Sequence, residues 1–171
     1  MYEYRFFNTL STKPATIYNR DTKIGTISKT YSHPIQKLFD LIVKGHLFVN
    51  YELKDSTDQT VLTSRRGPNP FKRKQYHVAY YRRDREIYLH LVDEKSFGMT
   101  EETSFTYDGH TFELKKSMGE KARILNEGNV VAEWDSSLKV PFKAYFELVD
   151  KNYKEDELLF LGLFHTYLHV A

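Results

Sequence analysis

A chain of 171 residues, 40% of them hydrophobic, is long enough to bury a sizeable core and reads as a single domain over residues 1–171. Its charged residues, 28% of the total, balance to a formal net charge of +2, which excludes a polyanionic disordered tail and a globally basic nucleic-acid binder. Zero cysteines exclude a disulfide framework, a thiol nucleophile and any Cys-ligated metal, and are compatible with a reducing cytoplasm.

The chain opens with MYEYRFFNTL, where Glu3 and Arg5 interrupt the apolar residues and no run is long enough for a signal peptide. The protein is therefore expected not to be exported. YEYRFFN reads as a first strand, and ATIYNRDTKIGTIS as a hairpin turning at Arg20 to Thr22. The pattern then breaks. In SHPIQKLFDLIVKG, Ile35, Leu38, Phe39 and Ile42 stand at helical spacing, with Ser32 or His33 as N-cap, Pro34 in the first turn and Gly45 past the end. This predicts a short helix near residues 34–44, covering one opening of whatever the strands build.

Strand patterning resumes in VNYELKDSTDQTVLTSR, which turns around Asp55 to Asp58, and in YHVAYYRRDREIYLHLVD, which turns at Arg83 to Arg85. There Ile87, Leu89 and Leu91 alternate with Glu86, Tyr88 and His90. In TSFTYDGHTFELKK, Asp108-Gly109 sits between Phe105, Tyr107 and Phe112, Leu114, the strongest short-range hairpin signal in the chain. ARILNEGNVVAEWD repeats the arrangement with Gly128 in the loop, and its Val130, Ala132 and Trp134 are expected to face away from Val131, Glu133 and Asp135. FKAYFELVDKN supplies a last strand. The fold class is mainly β: about twelve short strands in one antiparallel sheet, which must curl or close into a barrel to remove its edges.

The tail, DELLFLGLFHTYLHVA, is different. From Leu158 to Val170 only Gly162, His165, Thr166 and His169 are not large apolar or aromatic residues. As a helix this run is about 20 Å long, too short to span a bilayer, which takes about 20 apolar residues. A helix hydrophobic on every side has to be surrounded by protein, so Leu161, Phe164 and Leu168 are expected in the core.

Hairpins in succession followed by one strongly hydrophobic C-terminal helix resemble the tubby C-terminal-like superfamily, which takes in LURP-one-related proteins and phospholipid scramblases. The resemblance covers the whole chain and rests on architecture. It implies a closed barrel surrounding LLFLGLFHTYLHV, with the helical segment after the first hairpin as a departure from the pattern. It also implies a non-enzymatic binding module, since tubby proteins contact membrane phosphoinositide through basic residues of early-middle strands.

This chain has basic residues in that region. Between Arg65 and Arg85, Arg65, Arg66, Lys72, Arg73, Lys74, Arg82, Arg83 and Arg85 face the single Asp84, a net of +7 that leaves −5 for the remainder. These eight residues are the candidate lipid- or phosphate-binding set, because Arg forks match phosphate oxygens and anionic headgroups attract clustered cations. Charged hairpin tips also serve simply to keep strands soluble. Nucleic acid ranks below lipid as a partner, because Tyr76, Val78 and Tyr80 share an alternating face and read as core, although Phe71, Tyr76, Tyr80 and Tyr81 would suit base stacking.

No catalytic residue, metal ligand or cofactor site is assigned. His165 and His169 have the spacing of a zinc pair, but HTYLH lacks the acidic residue of H-E-x-x-H. Helix histidines near a C-terminus also suit the dipole or an internal hydrogen bond. Glu101 and Glu102 are adjacent, so on a strand they point to opposite faces. Nucleophile-elbow, P-loop and dinucleotide fingerprints are absent. The expected protein is thus a peripheral binding module for anionic lipid or phosphoinositide, cytoplasmic and placed at the inner membrane surface. A protein-interaction scaffold is the runner-up, and a lipocalin-like carrier ranks last because the terminal helix fills the ligand space.

Overall fold

Alternating residues form a strand wherever one of their faces can be buried, and this chain supplies twelve such segments. The computed structural model describes residues 1–5, 12–42, 48–67, 74–83, 85–94, 100–137 and 142–168. The strands are β1 (Tyr2–Arg5), β2 (Ala15–Asn19), β3 (Thr22–Thr30), β4 (Asn50–Asp55), β5 (Thr60–Arg66) and β6 (Gln75–Arg82), then β7 (Arg85–Asp93), β8 (Thr100–Tyr107), β9 (His110–Ser117), β10 (Ala122–Asn126), β11 (Asn129–Ser137) and β12 (Lys143–Leu148). Each pairs antiparallel with its sequence neighbours, and β1 also pairs with β12, so the sheet closes into a barrel. Closure removes the exposed edges that so long a sheet would otherwise present.

The two ends of the barrel differ. At one, the turn end, tight hairpin turns put Arg20, Asp58, Arg83, Asp108 and Glu127 at positive φ. In two of these turns a glycine follows at φ 81°, Gly109 and Gly128, as a two-residue turn with both φ values positive requires. At the other, the open end, β3, β5, β7, β9 and β11 stop and β4, β6, β8, β10 and β12 begin.

Helix α2 (Glu157–Leu168) follows β12 through a 3-10 turn, Lys151–Asp156, and runs inside the barrel from the turn end to the open end. Every residue from Leu159 to Leu168 is buried; Leu161 and Phe164 are 0% exposed and Leu168 is 7% exposed. An eight-stranded barrel is already filled by its own side chains, whereas twelve strands leave room for a helix about 10–12 Å across. The helix approaches β5 most closely at Gly162, where an added Cβ would lie 2.7 Å from Leu62 Cδ1.

Polar contacts fasten α2 laterally. Trp134 Nε1 donates to Tyr4 Oη at 3.0 Å, Tyr4 Oη lies 3.2 Å from His165 Nδ1, and Thr166 Oγ1 donates to Ser64 Oγ at 3.0 Å. His165 thus makes the internal hydrogen bond that its helical position suited, while His169 lies outside the described residues.

In β11 the register slips against β10 between Ile124 and Leu125, leaving Val131 unpaired there. Val131 was expected on the outer face with Glu133, but it is 1% exposed. Its carbonyl accepts from Val149 N at 2.9 Å and Asp150 N at 3.0 Å, so the segment leading into α2 folds against it. Simple alternation fails at this bulge because two residues oppose one.

Gly25 lies close against β4: an added Cβ would lie 2.3 Å from the backbone oxygen of Lys54. Backbone cannot swing aside as a side-chain tip can. Gly25→Ala is expected to cost about 1–3 kcal/mol, read as a lower urea midpoint, whereas the same change at the open, positive-φ Gly119 leaves β3–β4 packing intact.

The predicted short helix forms as α1 (Pro34–Ile42), while residues 43–44 lie outside the described residues. His33 begins it: Gln36 N donates to the His33 carbonyl at 3.1 Å, and Gln36 Oε1 accepts from His33 N at 3.2 Å, one half of a capping box. However, α1 does not close the opening with its apolar face. Asp40 is its buried residue, accepting from Phe48 N at 3.2 Å, while Ile35, Leu38, Phe39, Leu41 and Ile42 are exposed.

Candidate functional site

Strand β6 decides what the basic residues can do together. Arg65 and Arg66 end β5 and Lys74 immediately precedes β6, so these three belong to the open end. Arg82 ends β6, Arg83 stands in the turn and Arg85 begins β7, at the turn end. Eight residues of strand separate the groups, roughly 25 Å. The structure therefore does not bring the predicted set onto one surface. Lys72 and Arg73, like Phe71 and Asp84, lie outside the described residues.

At the turn end the arginines have internal work. Arg82 Nη2 is 2.9 Å from Glu155 Oε2, its Nε is 3.5 Å from Asp156 Oδ1, and its Nη1 donates to Tyr107 Oη at 3.2 Å. Arg83 Nη2 reaches the same Glu155 oxygen at 3.3 Å. Asp156 is buried and also accepts from Tyr107 Oη at 2.7 Å and Tyr80 Oη at 3.1 Å. Burial, with the Asp156 charge behind it, pushes both phenols above their ordinary range, so both remain donors. A second lock joins Tyr2 Oη, Glu157 and Lys154. Together these contacts fix the 3-10 turn and the entry of α2. Arg85 is exposed and lines a cavity of about 370 Å³ with Arg82, Arg83, Ile87 and Asp108.

At the open end Lys74 is also engaged. Its Nζ is 3.2 Å from Glu101 Oε1 and 4.6 Å from the centre of the Tyr167 ring, and burial lowers its pKa. The single Tyr167 Oη–H is shared between two acceptors, Asp93 Oδ1 at 3.2 Å and the Glu102 carbonyl at 3.0 Å, securing the far end of α2. Glu101 and Glu102 serve different partners: Lys74 takes the first and Lys115, at 3.2 Å, the second.

Arg65 and Arg66 remain at the rim. Arg65 is exposed, and no ion pair involves it among the described residues. It stands in register with Asn50 on β4 and His77 on β6, and His77 stacks on His90 of β7 with ring centroids 4.5 Å apart. Arg66 is half-buried, and its charge acts on the Tyr51 and Tyr76 phenols, which burial pushes up. The Asp40 charge acts on Tyr51 too, in the opposite sense to Arg66. A cleft of about 250 Å³ at the foot of α1 is lined by residues that include Tyr31, Ser32, Asn50, Glu52, Thr63 and Arg65, one acid beside one base.

Of the aromatic candidates, Tyr76 and Tyr80 are 2% and 4% exposed and form core with Val78 at 1%, Tyr81 is half-buried, and Phe71 lies outside the described residues. Sequence reasoning missed that α1 belongs to this site. The available signal was Asp40, which lies opposite the stripe of Ile35, Leu38, Phe39 and Ile42 and was the one acid able to anchor the helix.

Among the described residues, no group of three or more His, Asp or Glu is placed to hold a metal ion, and no helix is long and apolar enough to cross a membrane. A family model described as Tubby C-terminal like domain matches residues 2–170. No curated protein and no solved structure matches the chain.

Proposed function

This chain belongs to the Tubby C-terminal like domain family, and from that premise we propose that residues 1–171 form one non-enzymatic binding module that docks peripherally on anionic lipid, phosphoinositide included, at the cytoplasmic membrane surface. The observation carrying this reading is the division of labour among the cations. Arg82 and Arg83 are tied to Glu155, and Lys74 to Glu101, whereas Arg65 stands exposed at the open end beside Arg66. In sequence, Lys72 and Arg73 fall between Arg66 and Lys74, in the connection that starts and ends at that rim. Clustered cations gain about 1 kcal/mol each near an anionic surface, and their field reaches only about 8 Å at physiological salt. The turn-end group, roughly 25 Å away, acts independently of them.

Co-sedimentation with vesicles tests this. Wild type is expected to bind equimolar phosphatidylcholine–phosphatidylserine vesicles, not phosphatidylcholine alone, and to bind less as salt rises. Arg65→Glu with Arg73→Glu is expected to lose about tenfold or more in affinity. Arg85→Glu, exposed at the opposite end, keeps wild-type binding. Failure of wild type to bind at low salt, or equal loss in both variants, removes the lipid reading and leaves a protein-interaction scaffold.

A further inference from the structure

Helix α1 is mounted the wrong way round for a helix that only packs on its own barrel. A surface helix normally turns its apolar stripe inward. Here Ile35, Leu38, Phe39, Leu41 and Ile42 are 78%, 57%, 47%, 46% and 70% exposed, while Asp40 is 3% exposed. The anchor is polar: Asp40 accepts from Phe48 N, and its charge counteracts the burial that lowers the Lys29 pKa to about 8. Phe39 leans edge-on against Phe48, with ring centroids 5.9 Å apart, and so stiffens the mount without covering the stripe. Fixing a helix by a buried acid while leaving five large apolar side chains in water is unfavourable unless something else covers them.

The charges around the stripe select what that is. Lys37 is exposed on α1 and Arg65 lines the cleft at its foot; Glu52 lines that cleft too but accepts from Thr60 Oγ1 at 2.9 Å, and Asp40, the only acid in α1, is turned inward. A second copy docked stripe to stripe would bring the Lys37 and Arg65 charges of both copies together with no acid from either helix between them. An anionic lipid surface offers acyl chains to the stripe and phosphates to its basic flank. We propose that α1 lies in the plane of the membrane, its outward face sunk into the headgroup–acyl boundary, and so seats the open end of the barrel on the bilayer. This rests on the anionic-lipid reading and adds to it an apolar contact that salt does not screen.

A fluorescent reporter separates the two claims. Trp134 is the only tryptophan and is 1% exposed, so Leu38→Trp adds a second emitter on the outward face. With equimolar phosphatidylcholine–phosphatidylserine vesicles, its emission is expected to shift to the blue and to be quenched by lipids brominated on their acyl chains. Ile35→Glu with Ile42→Glu, both exposed, is expected to leave the thermal midpoint unchanged and to weaken vesicle binding by about tenfold or more. If the protein binds vesicles while the reporter neither shifts nor quenches and the double variant binds like wild type, the basic rim acts alone and the insertion proposal is wrong, with the lipid reading intact. If wild type binds no vesicles, both fall. If the free protein instead dimerises and Ile35→Glu with Ile42→Glu makes it monomeric, the stripe is a self-association face and the proposal is overturned.

Discussion

Phe164→Ala is expected to cost about 3–5 kcal/mol of folding stability, against the roughly 5–15 kcal/mol that separates a folded domain from its unfolded chain. The ring is 0% exposed within α2, its centroid 6.1 Å from that of Phe146 on β12. A side chain at a protein surface can be replaced by neighbours that slump into the gap. Here the neighbours are strands of a closed ring, held by hydrogen bonds on both sides, and they cannot close over a lost phenyl group. Phe164→Leu keeps more of the volume and is expected to cost markedly less. Urea unfolding followed through Trp134, 1% exposed on β11, reads both values. An unchanged midpoint for Phe164→Ala would mean that α2 does not support the barrel.

Asp156→Ala is expected to rank next, at about 3 kcal/mol or more. One carboxylate accepts from Tyr80 and Tyr107 and lies 3.5 Å from Arg82 Nε, so its removal strands two buried donors and loosens a cation at once. Asp156→Asn retains an acceptor for one phenol and should recover part of the loss. Combining Asp156→Ala with Arg82→Met should cost less than the sum of the single changes, because the two residues share one network. Strict additivity by urea titration would show that Arg82 is held independently of Asp156. Charge reversal at Arg82 is accordingly expected to cost stability through this network.

Legibility in the sequence followed the range of the interaction. Asp108-Gly109 and the Gly128 loop announced their hairpins because a two-residue turn is dictated by its own backbone angles. The buried fate of Leu161 and Phe164 could be read because a helix apolar on all sides has only one solution. The 3.6-residue period also revealed α1, yet period gives only the position of the stripe; its outward direction was set by Asp40 meeting the Lys29 region, which the chain makes elsewhere. The internal partners of the basic residues were hidden for a similar reason. The carboxylates that occupy Arg82, Arg83 and Lys74 are Glu155, Asp156 and Glu101, separated from them by long stretches of chain. The two ends of an eight-residue strand such as β6 stand roughly 25 Å apart, so Lys74 and Arg82 do not share a rim.

The order in which the parts are synthesised follows from the same architecture. Helix α2 comes after all twelve strands, and β1 finds one of its two partners only when β12 has been made. Until then the growing chain is a ribbon of hairpins with one unpaired strand at each margin and an apolar inner face that nothing covers. Local turns can form as they emerge, at about 5–20 residues per second, but ring and filling come together only once β12 and α2 have both been made. The chain therefore carries its greatest aggregation hazard after its strands are complete and before α2 has filled the barrel they form.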